Sequence, residues 1–291
     1  MIGCSVRRLG ASALLLAGLA AATAGAEPDA IARGDAAYAR RGDGQQGGHA
    51  APEPIGEAVA AYEEAVRVLP SRLEAHWKLV RALFFQGEYA VSDPTQKHAI
   101  FGHGVEAGRV AEAWLASSSG QTTLHGDPQV VAAILGGNPD ATPICFWSAV
   151  VLASWGRGAG PMLALREGIA ERLRHRAELV IALDPAFEAG GAHRLLGRIH
   201  AEVPRIPFVT PWVQRERALS ELRRAFALAP DDPWNQLLLG MTLLELAPAE
   251  RPRAIELLQG LATSSPRPDF IVEDIGVEQK ARELLDRSEG G

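Results

Sequence analysis

Residues 218–230, Ala-Leu-Ser-Glu-Leu-Arg-Arg-Ala-Phe-Ala-Leu-Ala-Pro, contain the spacing that decides the fold of this chain. Ala218, Leu222 and Ala225 follow one another in steps of four and three, so they share one face of a helix. Pro230 comes five residues later and ends such a helix, because proline lacks an amide hydrogen and restricts the residue before it. The stretch therefore predicts an amphipathic helix with small residues on its packing face.

The same spacing occurs at three other places in the chain. The copies are Ala58, Tyr62, Ala65, Pro70; Leu173, Ala177, Val180, Pro185; and Ala254, Leu258, Leu261, Pro266. A second helical segment follows three of the prolines and carries leucine before another apolar or small residue. These pairs are Leu79-Val80, Leu196-Gly197 and Leu239-Gly240. Four copies with identical steps indicate an internal repeat.

This repeat resembles the tetratricopeptide repeat (TPR), a pair of antiparallel helices with a period of about 34 residues. One pair cannot bury its apolar face alone, whereas stacked pairs share a continuous core. We predict an all-α, tetratricopeptide-like helical-hairpin solenoid of about five helix pairs plus a C-terminal capping helix. The predicted pairs are 31–40 with 55–69, 73–86 with 96–116, 143–155 with 162–183, 189–201 with 214–229 and 233–246 with 251–263, and the cap is 272–288.

Three of the predicted pairs carry extra residues in the turn between their helices. We place these insertions at Arg41–Pro54, Gly156–Pro161 and Val203–Trp212. Such turns line one edge of a solenoid, and insertions shared by one face often mark a binding face. The alternative is that turns tolerate extra length at little cost. The candidate binding residues of this edge are Arg157, Arg205, Phe208 and Trp212.

The composition agrees with a helical protein and argues against a nucleic-acid partner. Of the 291 residues, 47% are hydrophobic, only 6% are aromatic and 50 are alanine. Alanine favours helices, whereas strands favour β-branched and aromatic residues. The net charge is −6 and the sequence contains no long basic run, so an electrostatic attraction to nucleic acid is not expected.

Residues 1–26 have the three-part pattern of a secretory signal peptide. Arg7 and Arg8 precede a small and apolar run from Leu9 to Ala22, and Ala24-Gly25-Ala26 supplies a cleavage site. We expect a division into a signal peptide, 1–26, and a repeat domain, 27–291, located in the bacterial periplasm. The alternative is a retained N-terminal anchor. Removal of two arginines and no acidic residue changes the charge to −8, and no later segment predicts a transmembrane helix.

The stretch from Leu183 to Arg198, continuing to Pro204, resembles a particular helical-repeat family. Together with Phe146-Trp147, its Gly-Gly-x-His-Arg segment at 190–194 and its Pro-x-x-Pro loop at 204–207 resemble the T component of TRAP (tripartite ATP-independent periplasmic) transporters. The resemblance implies a periplasmic TPR-like protein that partners a solute-binding protein and forms a homo-oligomer. The regulator of microtubule dynamics family shares the same repeats, but the signal peptide argues against it.

The first helix of each TPR pair normally lines a concave groove, and the repeat register assigns candidate residues to it. The groove candidates are Trp77, Arg81, Phe84, Phe146, Arg194, Arg198, Trp234 and Met241. Arginine binds carboxylates through two parallel hydrogen bonds, and small-molecule sites are mostly apolar with few polar anchors. One hypothesis is therefore an organic-acid or acidic-peptide site. The alternative is that the aromatic residues pack in the core and the arginines are solvated.

The sequence contains none of the catalytic motifs that we considered. It lacks Gly-x-Ser-x-Gly and His-Glu-x-x-His, and Cys145 has no partner motif for nucleophilic catalysis. His193 and His200 share a helix face without a third ligand nearby, so we expect neither a metal nor a cofactor. We therefore predict a non-enzymatic scaffold for a protein partner, with a direct small-molecule binder and an enzyme as the competing classes.

Overall fold

The computed structural model describes residues 27–289, and the predicted signal peptide lies outside them. Within this part, 13 α-helices are joined by short loops, and the only β-structure is an isolated bridge between Gln46 and His49. The helices are α1 Glu27–Ala39, α2 Pro52–Val68, α3 Leu73–Phe85, α4 Pro94–Ser118, α5 Pro128–Leu135, α6 Ala141–Ala159, α7 Pro161–Arg166, α8 Ile169–Leu183, α9 Phe187–Glu202, α10 Arg215–Leu228, α11 Pro233–Leu246, α12 Arg251–Ala262 and α13 Ile271–Glu289.

The helices form the predicted solenoid of five hairpins followed by a capping helix. The hairpins pair α1 with α2, α3 with α4, α6 with α8, α9 with α10 and α11 with α12. The second helix of each hairpin also packs against the first helix of the next, and α12 packs against α13 in the same way. This is the nearest-neighbour stacking that gives helical repeats a continuous core, and it confirms the predicted fold class.

The repeat register is visible where glycine of one helix meets an apolar residue of its hairpin partner. A Cβ added at Gly34 would lie 2.4 Å from Tyr62, at Gly197 2.7 Å from Leu222, and at Gly240 3.2 Å from Leu258. Tyr62, Leu222 and Leu258 are the second residues of three copies of the repeat spacing, and all three are fully buried. The glycines are therefore needed for close helix approach rather than for backbone freedom.

The third hairpin differs from its prediction. We expected a turn at 156–161 and one helix from Met162 to Leu183, but α6 continues to Ala159 and the second helix is split into α7 and α8. Gly160 and Gly168 have φ angles of +81° and +60°. Residues other than glycine adopt such angles only with strain. These two left-handed residues end one helix and start the next, so the predicted boundaries are wrong here.

The sequence reasoning also missed a short helix before the third hairpin. In α5, Val131, Ala132 and Leu135 are buried against Leu179 and Val180 of α8. The Asp127 side chain caps the helix by accepting hydrogen bonds from the backbone N–H groups of residues 129 and 130. Capping of this kind satisfies amides that the first helical turn leaves unpaired.

The capping helix closes the solenoid onto its first hairpin. Val277 and Ala281 of α13 pack on the last hairpin, whereas Val272 belongs to the buried cluster that includes Ala37 of the first hairpin and Phe85 of the second. The loop after α1 meets the same helix, because a Cβ at Gly48 would lie 3.3 Å from the backbone of Gly276. The predicted insertion Arg41–Pro54 is therefore used for internal packing.

Candidate functional site

A chain of aromatic side chains runs along the first helices of hairpins one to four. Neighbouring ring centroids lie 4.9–6.4 Å apart, a spacing typical of favourable aromatic pairs. In order, the rings belong to Tyr38, Phe85, Tyr89, Phe84, Trp147, Phe146 and Phe187. Phe146 is buried and Phe84 is half-buried, so these two groove candidates contribute mainly to packing.

Trp77 lies at the edge of this chain and binds the following hairpin. Its indole Nε1 donates a 2.9 Å hydrogen bond to the carboxylate of Asp140, the residue before α6. An open cavity of about 620 Å³ lies beside it, and Arg72, Glu74 and Pro143 are among its lining residues. Trp77, which we predicted as a groove residue, lines this cavity, and the hydrogen bond that fixes it was not predicted.

The Arg194 guanidinium is held by hydrogen-bond acceptors of the chain itself. Near the start of α9 the backbone is left-handed, with φ angles of +49° at Glu188 and +57° at Ala189. The guanidinium donates to the carbonyl oxygens of both residues, at 2.8 and 3.2 Å. It also donates to Asp232 at 3.2 Å and to Asn235 at 2.9 Å. Arg194 therefore stabilises a strained turn.

Arg198 lies one helical turn later and is similarly occupied. Its guanidinium contacts the carboxylate of Glu202 at 2.6 Å, the hydroxyl of Thr242 at 2.7 Å and the carboxylate of Glu245 at 3.4 Å. An acidic ligand would have to displace these acceptors from either arginine. The hypothesis that Arg194 and Arg198 anchor a carboxylate ligand stays a prediction, but their existing partners do not support it.

Of the two groove candidates of the fifth hairpin, Trp234 lies close to the capping helix. Trp234 is half-buried and packs with the cluster that includes Leu237 and Val277. Met241 is also half-buried. Because α13 packs on the same hairpin, the capping helix contributes to the burial of Trp234.

Arg81 differs from the other groove arginines because no carboxylate among residues 27–289 lies within 4.0 Å of its nitrogens. Its guanidinium lies over the Tyr38 ring at 4.0 Å from the centroid and over the Trp77 ring at 5.0 Å. Its Nε is shielded from solvent and makes no hydrogen bond within the described part of the chain. Aromatic faces stabilise a cation in this position but do not satisfy its N–H donors.

The two histidines considered as a metal pair have separate structural partners. His193 and Glu221 are buried, and His193 Nδ1 lies 2.7 Å from the Glu221 carboxylate. Burial alone would raise the pKa of Glu221, but His193 and the neighbouring charge of Arg224 hold it below its usual value. The Nδ1 atom of His200 accepts from the backbone N–H of Gln214 at 3.1 Å. Among the described residues no cluster of three or more metal-ligating side chains is present.

The loop between α9 and α10 presents Phe208 to solvent. Its side chain is 100% exposed. The backbone φ angle of Phe208, +65°, is unusual for a residue that is not glycine. The buried Thr210 organises the loop, because its hydroxyl donates to Pro204 O at 2.6 Å and accepts from Ile206 N at 2.9 Å. A cavity of about 510 Å³ beside Phe208 is lined by Arg205, Pro207, Phe208 and Pro211.

The remaining edge candidates are divided between the surface and the interior. Arg157 and Arg205 are exposed, and Arg157 donates to the Ser154 hydroxyl at 3.1 Å. Trp212 instead points inward, with its ring 5.5 Å from His200 and below the guanidinium of Arg174. It shares a cluster with Ala164 of the third hairpin, so the turns of hairpins three and four lie on the same edge.

Sequence reasoning did not select Tyr38 or Glu188, although both lie among the charged groups of the concave face. Burial raises the pKa of Tyr38, while the charges of Arg81 and Arg41 lower it. Burial likewise raises the pKa of Glu188, and Arg81 opposes this more than any other charged side chain. Tyr38 follows Gly34 by one helical turn and could have been found from the register. Glu188 could not have been found in this way, because the direction of its side chain depends on the left-handed backbone.

Comparison with solved structures shows a TPR-like fold. The chain is similar to TTC0263, a thermophilic TPR protein of Thermus thermophilus, with a TM-score of 0.53 and 17% identity over 89% of this chain and 99% of that one. A match to the TPR2AB-domain:pHSP90 complex of yeast Sti1 has a TM-score of 0.28 and 14% identity over 88% and 98% of the two chains. Neither a family model nor a curated protein matches the sequence.

The likeness to the Thermus thermophilus protein supports the TPR-like fold. The finer resemblance to the TRAP transporter T component stays a prediction. In the part of the chain that the structure describes, no helix combines the length and apolar character needed to cross a membrane.

Proposed function

We propose that this chain is a non-enzymatic periplasmic scaffold that docks a partner protein through the loop at 203–213. The TPR-like fold supports this proposal because stacked helical hairpins give extended surfaces suited to binding. The Cys145 thiol, which could otherwise suggest catalysis, supports the proposal as well. Burial raises the pKa of the Cys145 thiol, and a thiol that stays protonated is a poor nucleophile.

The complete exposure of Phe208 is the observation that carries the proposal. A large aromatic ring in water leaves favourable apolar burial unused, and interface hot spots are enriched in aromatic residues that fill pockets of the partner. Val209 is 48% exposed beside it, so the apolar contact extends beyond one ring. The hydrogen bonds of Thr210 hold the loop in one conformation, which lowers the entropy lost on docking.

The partner that we propose is the solute-binding protein of a TRAP transport system. This choice rests on the resemblance of residues 183–204 to the T component, and the pattern of residues 1–26 supports a periplasmic location. A homo-oligomer is implied by the same resemblance. The exposed Arg205 next to Phe208 would favour an acidic rim around the partner's pocket.

Photo-crosslinking in the periplasm tests this function. A benzophenone amino acid at position 208 should form an adduct with the solute-binding protein, identified by mass spectrometry. The same amino acid at Leu228, which is 46% exposed on α10, serves as the matched control and should give no such adduct. A chain retained in the cytoplasm, or equal yields at both positions, would contradict the proposal.

A further inference from the structure

The loop at 203–213 is attached to the solenoid at its C-terminal end, through Trp212 and His200. Trp212 belongs to a cluster that includes Ala164 of α7. The His200 ring is fully buried and lies edge-to-face with Trp212, at 5.5 Å between centroids. Its Nδ1 atom accepts the 3.1 Å hydrogen bond from the backbone N–H of Gln214, the residue at which the loop meets α10. These contacts hold one end of the loop against the fold.

Two hydrogen-bond donors at this attachment are buried without acceptors. Because Nδ1 of His200 accepts a hydrogen bond, the hydrogen of the neutral ring is on Nε2. This Nε2 donor and the indole Nε1 donor of Trp212 are shielded from solvent, and neither makes a hydrogen bond within the described part of the chain. Such donors carry a desolvation penalty that water removes once they are exposed. Opening of the loop is therefore opposed by apolar packing and by the bond to Gln214.

The hydrogen bonds that shape the loop around Phe208 do not depend on this attachment. The Thr210 hydroxyl donates to Pro204 O and accepts from Ile206 N, so both bonds join residues of the loop itself. The only charged residue of the loop, Arg205, is exposed and forms no ion pair with the described residues. The loop can therefore keep its shape while its C-terminal end moves away from α9.

The bond between His200 and Gln214 requires a neutral imidazole ring. A protonated ring carries a hydrogen on both nitrogens and cannot accept from a backbone amide. Burial and the charges of Arg217 on α10 and Arg174 on α8 disfavour a charged ring more than Glu221 on α10 favours it. Together they lower the pKa of the buried His200 to about 4, from an ordinary value of about 6.5.

We propose that His200 and the loop at 203–213 form an acid-sensitive latch, which holds Phe208 in its docking position while the ring is neutral and releases the loop when the ring takes up a proton. Water then accepts from both ring N–H groups and from the Trp212 indole, so protonation removes one attachment and favours the state in which every donor is satisfied. Control of partner binding by this latch rests on the proposed function, whereas the opening of the loop does not.

Hydrogen–deuterium exchange of the purified chain tests the latch without a partner protein. Opening raises the pKa of His200 from about 4 to about 6.5, so the opening equilibrium constant should be about 50-fold larger at pH 4.5 than at pH 7. After correction for intrinsic exchange rates, protection of residues 203–214 should fall by about tenfold or more in acid. Protection of α11 should fall much less. An equal fall in α11 would indicate global unfolding and would overturn the latch.

His200→Gln separates the latch from other effects of acid. Glutamine still accepts from the Gln214 amide but does not titrate, so loop protection in this variant should change by less than about threefold between pH 7 and pH 4.5. His76→Gln, which replaces another buried histidine, is the matched control, and its loop should respond to acid like the unaltered protein. The proposal fails if His200→Gln loses as much loop protection as the unaltered protein, or if the unaltered loop stays protected at pH 4.5.

NMR titration of the unaltered protein is a second test, which needs no substitution. Since protonation and opening are coupled, the backbone amide signals of Phe208 and Val209 should move with the same pH midpoint as the ring proton of His200. Amide signals that stay fixed while the ring titrates would overturn the latch. If both tests support the latch but the partner protein does not bind, only the proposed function fails.

Discussion

Arg41 and Glu273 lie 232 residues apart in sequence and 2.8 Å apart in the fold. The guanidinium follows the first helix of the first hairpin, and the carboxylate belongs to the capping helix. Arg41 also donates to the Asp269 carbonyl oxygen at 2.6 Å and lies 5.3 Å from the Phe270 ring centroid. This contact turns a row of hairpins, each touching its neighbours, into a closed solenoid whose ends stabilise each other.

Arg41→Ala should therefore destabilise the whole protein. Both side chains of the ion pair are largely buried, at 9% and 14% exposure, and the substitution leaves the Glu273 carboxylate without its partner. We expect the free energy of unfolding in urea to fall by about 3 kcal/mol. The adjacent exposed pair of Arg40 with Glu57 provides the control, and Arg40→Ala should cost less than about 1 kcal/mol. Similar losses in both variants would argue against closure.

Gly197→Ala tests the repeat register. The added methyl group would lie 2.7 Å from Leu222 and 3.0 Å from the carbonyl oxygen of Ala218, so the two helices must separate. Overpacking of this kind costs about 1–3 kcal/mol. In contrast, a methyl group at Gly260 meets nothing within 4 Å, and Gly260→Ala should raise stability by up to about 1 kcal/mol. If thermal unfolding shows the same sign for both, the register is misassigned.

We predict that the buried His200 side chain makes the folded protein less stable in acid. Burial, with the nearby charge of Arg217, lowers its pKa to about 4, below the value of about 6.5 in an unfolded chain. The unfolded state therefore takes up the proton first, and stability present above pH 6.5 is lost as the pH falls towards 4. This group alone accounts for at most roughly 3 kcal/mol of that loss.

The measurement is urea unfolding at pH 7 and pH 4.5 for the unaltered protein and for His200→Gln. Glutamine retains an acceptor for the Gln214 amide but does not titrate, so the variant should lose less stability on acidification. His76, whose pKa burial also lowers, titrates in both proteins and cancels from the comparison. An identical pH dependence in the two proteins would contradict the role of His200.

Much of the fold could be predicted from the spacing of small residues. Each glycine that contacts Tyr62, Leu222 or Leu258 is local to one hairpin, and a local period of four and three residues specifies such contacts. The third hairpin was predicted less well because Gly160 and Gly168 act through positive φ angles. Glycine in a sequence does not reveal whether it permits close packing or a left-handed turn.

The candidate site was harder to predict than the fold. The register places Trp77, Arg81 and Phe84 on one helix, α3, but it contains no information about the hydrogen-bond acceptors of the first two. Arg194 is satisfied by carbonyl oxygens that a left-handed turn exposes, and Arg41 by a partner from the far end of the chain. Both depend on tertiary contacts. Phe208 was selected as part of an insertion, whereas its full exposure depends on the conformation of that loop.

The most direct test of the account is the affinity of the purified chain for the TRAP solute-binding protein of the same organism, measured with and without Phe208→Ser. Loss of an interface hot spot costs about 2 kcal/mol or more, so the account predicts binding that weakens by about 30-fold or more. Leu228→Ser removes an apolar side chain that is 46% exposed elsewhere on the surface, and it should leave the affinity unchanged. No binding by the unaltered chain, or equal affinity of the Phe208 variant, would contradict the proposed function.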